Sequence, residues 1–164
     1  GIDFSAGSLG QGVSAACGMA LAGKLGHKDY RVYTILGDGE IEEGQVWEAA
    51  MFADHYKLDN LCFIIDNNDL QIDGRVGEVS SPYPIDEKFR AFGFEVFCCD
   101  GHDFAALEET FQKVLKVTGK PAAIIAKTVK GKGVSYMEDQ VGWHGKAPND
   151  AEYEQGMKEL EEVR

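Results

Sequence analysis

The chain has no CxxC pair, and its four cysteines and four histidines never fall at metal-ligand spacing, which argues against a zinc site. Basic residues are scarce, with 16 Lys and Arg against 28 Asp and Glu, a formal net charge of −12. So acidic a chain is a poor partner for nucleic acid, whose phosphates are gripped by clustered cations. A phosphorylated small molecule is not excluded, because a local site can differ in sign from the whole. No apolar run is long enough to span a bilayer and no signal pattern is present, so no membrane role is expected. Cys98 and Cys99 are adjacent, so within a strand they face opposite ways and are badly placed to pair. Together with Cys17 and Cys62 they read as reduced, mostly buried thiols of a cytoplasmic protein. There is no internal repeat and no low-complexity segment. An initiator Met is also missing: the chain opens Gly1-Ile2-Asp3, a glycine loop follows at once, and the start reads as truncated.

What is present is an alternation of helical and strand patterns. The 164 residues, 44% of them hydrophobic, suffice for one domain with a real core. GSLGQG, Gly7 to Gly12, is a glycine loop, and the VSAACGMALAGKLG that follows is a helix of small residues able to pack closely on a neighbour. Strands are expected at Arg31–Leu36, Leu61–Ile65, Phe92–Cys99 and Pro121–Lys127. Helices are expected at Glu42–Tyr56, with acids in the first turn, at Ile85–Ala91, at Phe104–Val117 and at Asp150–Glu162. Asn67–Ser81 and Thr128–Asn149 read as loops. The apolar run Leu61-Cys62-Phe63-Ile64-Ile65 suits a strand covered on both faces. The whole predicts a three-layer α/β/α domain around a mainly parallel sheet, occupying residues 1–164.

ILGDGEIEEG, Ile35 to Gly44, stacks Asp38, Glu40, Glu42 and Glu43 at the end of a strand. Ligands of parallel α/β sheets bind beyond the carboxyl ends of the strands. Gly37 and Gly39 allow close backbone approach, and the N-terminus of the following helix suits an anion such as a diphosphate. Carboxylates repel that anion unless a divalent cation stands between them. Mg²⁺ takes oxygen ligands, partly from protein and partly from phosphate. Asp38, set between the two glycines, is the best ligand. The next strand ends in Asn67-Asn68-Asp69-Leu70, where the Asn68 side chain and the Leu70 main chain offer neutral oxygens. Glu40 and Glu42 are expected to be solvated or to cap the helix, and Glu43 to bond a neighbouring backbone or the other half of a larger site.

GDG after one strand and NN after the next is the signature shared by thiamine diphosphate enzymes, which the chain resembles. GIDFSAGSLGQG, GDGEIEEGQVWEAAMFADHYKLDNL, IDNNDLQIDG and KTVKGKGVSYMEDQVGWHGKAP, taken in order, resemble the amino-terminal, diphosphate-binding part of transketolase. Pyruvate-dehydrogenase-type subunits and deoxyxylulose-phosphate synthase share GDG…NN, but the glycine loop, IDG and the KGKG…WHGKAP run favour transketolase.

The resemblance implies a thiamine diphosphate-binding fold and roles for matching residues. Gly7, Ser8 and Leu9 would line the cofactor, with Leu9 near its aminopyrimidine. Gly37 and Gly39 would contact the diphosphate, and Ile72 would pack on the cofactor. Asp38, Asn68 and the Leu70 carbonyl would hold Mg²⁺ or Ca²⁺. Lys130 and His144 would reach the diphosphate, with His144 also near the reacting carbons as the catalytic residue, and Lys146 would add positive charge. The implied reaction moves a two-carbon ketol unit from a ketose phosphate to an aldose phosphate in the pentose phosphate pathway. The glutamate that assists it belongs to a pyrimidine-binding subunit or domain, so this chain would supply half of an active site in a homodimer or heterotetramer. The expectation is a subunit of the split type, truncated at its start. Two readings stay open beside it: a 2-oxoacid dehydrogenase component, and a non-catalytic diphosphate-binding module.

Overall fold

The computed structural model describes residues 1–162. Its elements run α1 Gln11–Leu25, β1 Val32–Gly37, α2 Gly44–His55, β2 Leu61–Asn67, β3 Leu70–Gln71, β4 Gly74–Arg75, α3 Val76–Val79, α4 Ile85–Ala91, β5 Glu95–Asp100, α5 Phe104–Val114, β6 Ala122–Lys127 and α6 Asp150–Glu162. The main sheet is β1-β2-β6-β5 with every pair parallel. The chain passes from β2 across to the far edge at β5 and returns to β6, so helices lie on both faces, as expected for parallel strands joined by crossovers.

Two cores follow from that winding. On one face α1, α2 and α4 cover Leu36, Phe63, Ile65, Val96, Ala123 and Ile125; on the other, Val114 and Val117 cover Cys62, Ala122, Ile124 and Ala126. The small residues of α1 allow its close packing against α2, and at Gly23 a Cβ would lie 2.8 Å from the Tyr30 ring. An aromatic cluster knits the first core: Trp47 to Phe89 at 5.0 Å, Trp47 to Phe92 at 5.2 Å and Phe63 to Phe94 at 5.0 Å between centroids. β1 is a sheet edge, and its Tyr33 and Ile35 remain exposed.

Several expectations are corrected. The acids after Gly39 do not begin a helix: Glu40–Glu42 form a 3-10 turn, Glu43 is extended, and α2 starts at Gly44 with no acid in its first turn. The segment after Asn67 is not all loop, because β3 and β4 pair as a small hairpin followed by α3. The strand expected from Phe92 begins at Glu95, since Gly93, at φ +87°, first closes the end of α4 through a bond from its N–H to the Arg90 carbonyl. The cysteines are free but not mostly buried: Cys17 and Cys62 are, Cys99 is half-buried and Cys98 is exposed on the edge strand β5. Burial pushes the Cys17 and Cys62 thiols up to about 12, so both stay protonated.

At the end of the sheet opposite the acidic loop, Asp59 ties three segments together. Its carboxylate accepts from Lys24 Nζ at 2.8 Å and from the Gly119 N–H at 2.9 Å, and its carbonyl accepts from Arg31 at 2.8 Å. Burial raises this carboxyl, but the bonds from Lys24 and Gly119 outweigh it, so Asp59 titrates below the ordinary 3.8. A depressed folded pKa gives stability that is complete above the ordinary value and lost as pH falls through the folded one. Asp59→Asn should therefore cost about 1–2 kcal/mol near neutrality. Urea midpoints should show a constant gap from wild type well above the ordinary 3.8 that narrows as pH falls through and below that value; a gap of constant size throughout would contradict this account.

Candidate functional site

The parallel register sets Gly37 beside Asp66, so the turns after β1 and β2 leave the sheet side by side. Asp38 is fully buried between them. Its Oδ1 accepts from the Gly39 N–H at 2.9 Å, and its Oδ2 accepts from Asn67 Nδ2 at 3.0 Å and from the Asp69 N–H at 2.5 Å. Desolvation raises this carboxyl against the lowering effect of the three hydrogen bonds. Among the described residues no Lys or Arg pairs with it: the ion pair made next to it, that of Arg75, goes to Asp69 instead. A buried carboxylate held in place by neutral donors and lacking a cation is the donor set a divalent metal would complete.

Asn68 is buried next to it, and its Oδ1 accepts from the Leu70 N–H at 3.0 Å. That bond folds the chain back so that Asn68, Leu70 and Asp38 share one turn region, with Asp69 at φ +66°. Gly39 fits here because a Cβ would stand 2.9 Å from that of Gln71, on the hairpin. The N–H groups of Gly37 and Gly39 are already taken by the Glu40 and Asp38 carboxylates. Neither N–H is therefore left free to donate to a ligand.

Glu40 is neither solvated nor a helix cap, contrary to expectation. Its carboxylate accepts from the Gly10 N–H at 3.0 Å and from the Gly37 N–H at 3.1 Å, which docks the GSLGQG loop onto the GDG turn. The turn itself is anchored by Ile41, whose side chain is fully buried and whose carbonyl accepts from Trp47 Nε1 at 2.8 Å. Glu42 accepts from Gln71 Nε2 at 2.7 Å. Glu43 precedes α2 and makes no capping bond with its side chain. Gly7 and Ser8 are exposed just before α1, and Leu9 and Ile72 project apolar surface at 58% and 68% exposure beside the glycine loop and the hairpin.

Lys130 and His144 stand on the segment that follows β6. Lys130 is half-buried, and no ion pair of its side chain occurs among the described residues. His144 is exposed and closes the 3-10 turn Val141–Trp143, its N–H donating to the Val141 carbonyl at 3.0 Å. Among the described residues, no side-chain hydrogen bond joins either residue to the Asp38 group. The Lys146 Nζ lies 4.0 Å above the Trp143 ring and 3.2 Å from Glu152. Tyr83 was not anticipated. Its hydroxyl accepts from Asn67 Nδ2 at 2.8 Å and donates to Asp69 Oδ1 at 3.2 Å, behind the Asp38 turn. Nothing in SSPYP marks that tyrosine; only the path of the chain between α3 and α4 puts it there. His102 is exposed and accepts at Nε2 from the Val129 N–H at 2.8 Å. A cleft of about 710 Å³ opens on the same end of the sheet, lined by Asn67, Cys99, His102 and Thr128 among others.

The family described as "Transketolase, thiamine diphosphate binding domain" matches residues 1–161. The chain belongs to the transketolase family. It is 44% identical over 161 residues to the 6-deoxy-6-sulfo-D-fructose transketolase subunit SqwG of Clostridium sp. (strain MSTE9), covering 98% of this chain and 58% of that protein. It is 43% identical over 162 residues to an apulose-4-phosphate transketolase subunit from Phocaeicola vulgatus, with 99% and 58% covered. The crystal structure of transketolase from Campylobacter jejuni superimposes with a TM-score of 0.91 at 33% identity, over 98% of this chain and 26% of that one. The chain thus spans little more than half the length of the two subunit relatives. The match to the solved transketolase carries the fold with it: a parallel four-stranded sheet between helices, forming a thiamine diphosphate-binding domain. None of the described helices is long and apolar enough to cross a membrane.

Proposed function

We propose that this chain acts as the diphosphate-binding component, a single domain over residues 1–164, of a cytoplasmic transketolase. The observation that carries the reading is Asp38: a buried carboxylate at the ends of two parallel strands, oriented by three donors and paired with no Lys or Arg among the described residues. With the Asn68 side-chain oxygen and the Leu70 carbonyl it would hold Mg²⁺, or Ca²⁺, against the diphosphate of thiamine diphosphate. Bound thiamine diphosphate supplies the carbon–carbon bond cleavage and formation of ketol transfer. The chain's own residues bind and orient. Gly37 and Gly39 keep the β1 turn thin enough for close approach, Gly7, Ser8 and Leu9 border the cofactor, and exposed Ile72 offers it apolar surface. Lys130 brings a cation toward the diphosphate, and His144 brings a hydrogen-bonding imidazole toward the diphosphate and the substrate carbonyl region.

Sugar phosphates are the proposed substrates. The relatives named for 6-deoxy-6-sulfo-D-fructose and apulose 4-phosphate extend the panel to sulfonated and branched ketoses. A pyrimidine-binding subunit or domain is the proposed partner, in a homodimer or heterotetramer. Relatives named as subunits support that partnership.

The test assembles the chain with its partner and assays xylulose 5-phosphate, fructose 6-phosphate and the two relatives' ketoses with ribose 5-phosphate as acceptor. Ketol transfer that needs both chains, thiamine diphosphate and Mg²⁺ is the expected result, with none from this chain alone. Pyruvate decarboxylation in place of ketol transfer would move the chain to a 2-oxoacid dehydrogenase component, and cofactor binding without turnover of any kind would make it a binding module.

A further inference from the structure

We propose that Arg75 and Asp139 form a clasp that sets the Lys130 loop against the metal turn, making Arg75 a positioning residue for cofactor binding; the inference rests on the cofactor site proposed above. Arg75 stands on β4 and forks between two carboxylates, with Nη1 at 3.1 Å from Asp69 Oδ2 and Nη2 at 2.7 Å from Asp139 Oδ2. Each carboxylate belongs to a residue whose backbone touches a different part of the site. The Asp69 N–H donates to Asp38 at 2.5 Å, and the Asp139 N–H donates to the Lys130 carbonyl at 3.0 Å. A single guanidinium therefore connects the Asp38 turn to the loop that carries Lys130.

The loop is rooted at its start, where the Thr128 N–H donates to the Asn67 carbonyl at 3.2 Å and the Val129 N–H to His102 Nε2 at 2.8 Å, but beyond Val129 little else holds it against the metal turn. Its hydrogen bonds are largely internal, with Lys132 N–H to the Val129 carbonyl at 3.2 Å, Val134 N–H to Gly131 at 3.1 Å and Glu138 N–H to Val134 at 3.0 Å. On its far side it is tied to α6, with Ser135 bonded to Glu159 and Tyr136 to the Glu152 carbonyl. Among the described residues, the Arg75–Asp139 bond is the only hydrogen bond between residues 129–140 and residues 38–75. Asp69 and Asp139 both hold left-handed backbone, at φ +66° and +55°, which a non-glycine residue keeps only where its surroundings hold it. The planar fork suits this task better than an ammonium would, because it reaches two carboxylates at once in fixed geometry. Neither carboxylate is a proposed metal ligand, and Arg75 itself is exposed, so removing it leaves both cores intact.

The experiment uses the chain assembled with its pyrimidine-binding partner and measures thiamine diphosphate affinity at saturating Mg²⁺ by calorimetry. Arg75→Met and Asp139→Asn should each raise Kd about fivefold, the scale of an exposed ion pair. The double variant should lose no more than either single one, because both break the same link. Arg75→Lys should fall between wild type and Arg75→Met. At saturating cofactor kcat should match wild type while the KM for cofactor rises, and protease cleavage within residues 129–140 should quicken in the cofactor-free variants. Wild-type Kd in both single variants, or losses that add in the double, would overturn the clasp. Failure of the wild-type assembly to bind thiamine diphosphate would overturn the underlying reading of the site instead.

Discussion

Asp38→Asn should weaken Mg²⁺-dependent thiamine diphosphate binding at least about 100-fold, the scale of losing one partner of a buried charge pair. The substitution keeps the volume of the side chain and one carbonyl oxygen. It removes the charge that a divalent cation would neutralise, and it turns an NH₂ group toward donors that now point at a carboxylate. Asp69 and Asn67 both donate to Oδ2 and Gly39 donates to Oδ1, so no rotamer of Asn satisfies all three. Asn68→Ala should approach the same loss, since it removes a proposed ligand and frees the Leu70 N–H it holds. Asp54→Ala serves as the control: Asp54 lies on α2, paired with Lys57 at 2.7 Å, remote from the strand ends. Cofactor titrations with and without Mg²⁺, followed by tryptophan fluorescence, measure all three. An Asp38→Asn protein whose affinity still responds to Mg²⁺ as wild type does would refute the metal assignment.

The second large effect is expected at Gly131. Its φ is +72°, and a Cβ there would sit 2.6 Å from both the Cβ and the carbonyl oxygen of Met137. Left-handed backbone costs a non-glycine residue about 1 kcal/mol. The overlap with a carbonyl cannot be relieved by turning a side chain, so the loop from Val129 to Gln140 has to move. Lys130 is the neighbouring residue, and Asp139 closes the same loop through the Lys130 carbonyl. Gly131→Ala should therefore lower cofactor affinity by about tenfold or more and leave the far-ultraviolet circular dichroism unchanged, because neither core includes the loop. Gly119 separates the two causes. It has the same φ of +72° with nothing within 4 Å of the added Cβ. Gly119→Ala should cost only about 1 kcal/mol of stability and no cofactor affinity. Equal effects of the two substitutions on cofactor binding would show that backbone strain, not the Met137 contact, is what matters.

Much of this molecule was legible in the order of its residues. Period-2 and period-3.6 patterns are local, so the four strands and the helices flanking them came out within a few residues of their observed bounds. The apolar run at β2 announced cover on both faces, and the two cores supply it. Parallel neighbours then bring the GDG and NN turns to one end of the sheet, and that made Asp38, Asn68 and Leu70 readable as a group. The family resemblance supplied Leu9, Ile72, Lys130 and His144 as expectations, which no pattern of their own would have raised.

What the sequence alone determined, then, is the α/β class, the family and the pairing of two acidic or amide-rich turns, because each depends on nearest neighbours in the chain or on a motif of fixed spacing. Tertiary structure decided which side chains serve those turns. Glu40 looked like one more solvated acid until the fold carried Gly10 to it, 30 positions away. Tyr83 reaches Asn67 only because the chain between α3 and α4 doubles back, and Arg75 reaches Asp139 across 64 positions. The Glu40–Glu42 turn is 3-10 because Ile41 is drawn into the core and its carbonyl is held by Trp47, an interaction that local propensity does not encode. A side chain's partner depends on where distant segments pass, and a carboxylate that reads as solvated along the chain becomes a tie between segments according to the donors that packing delivers to it.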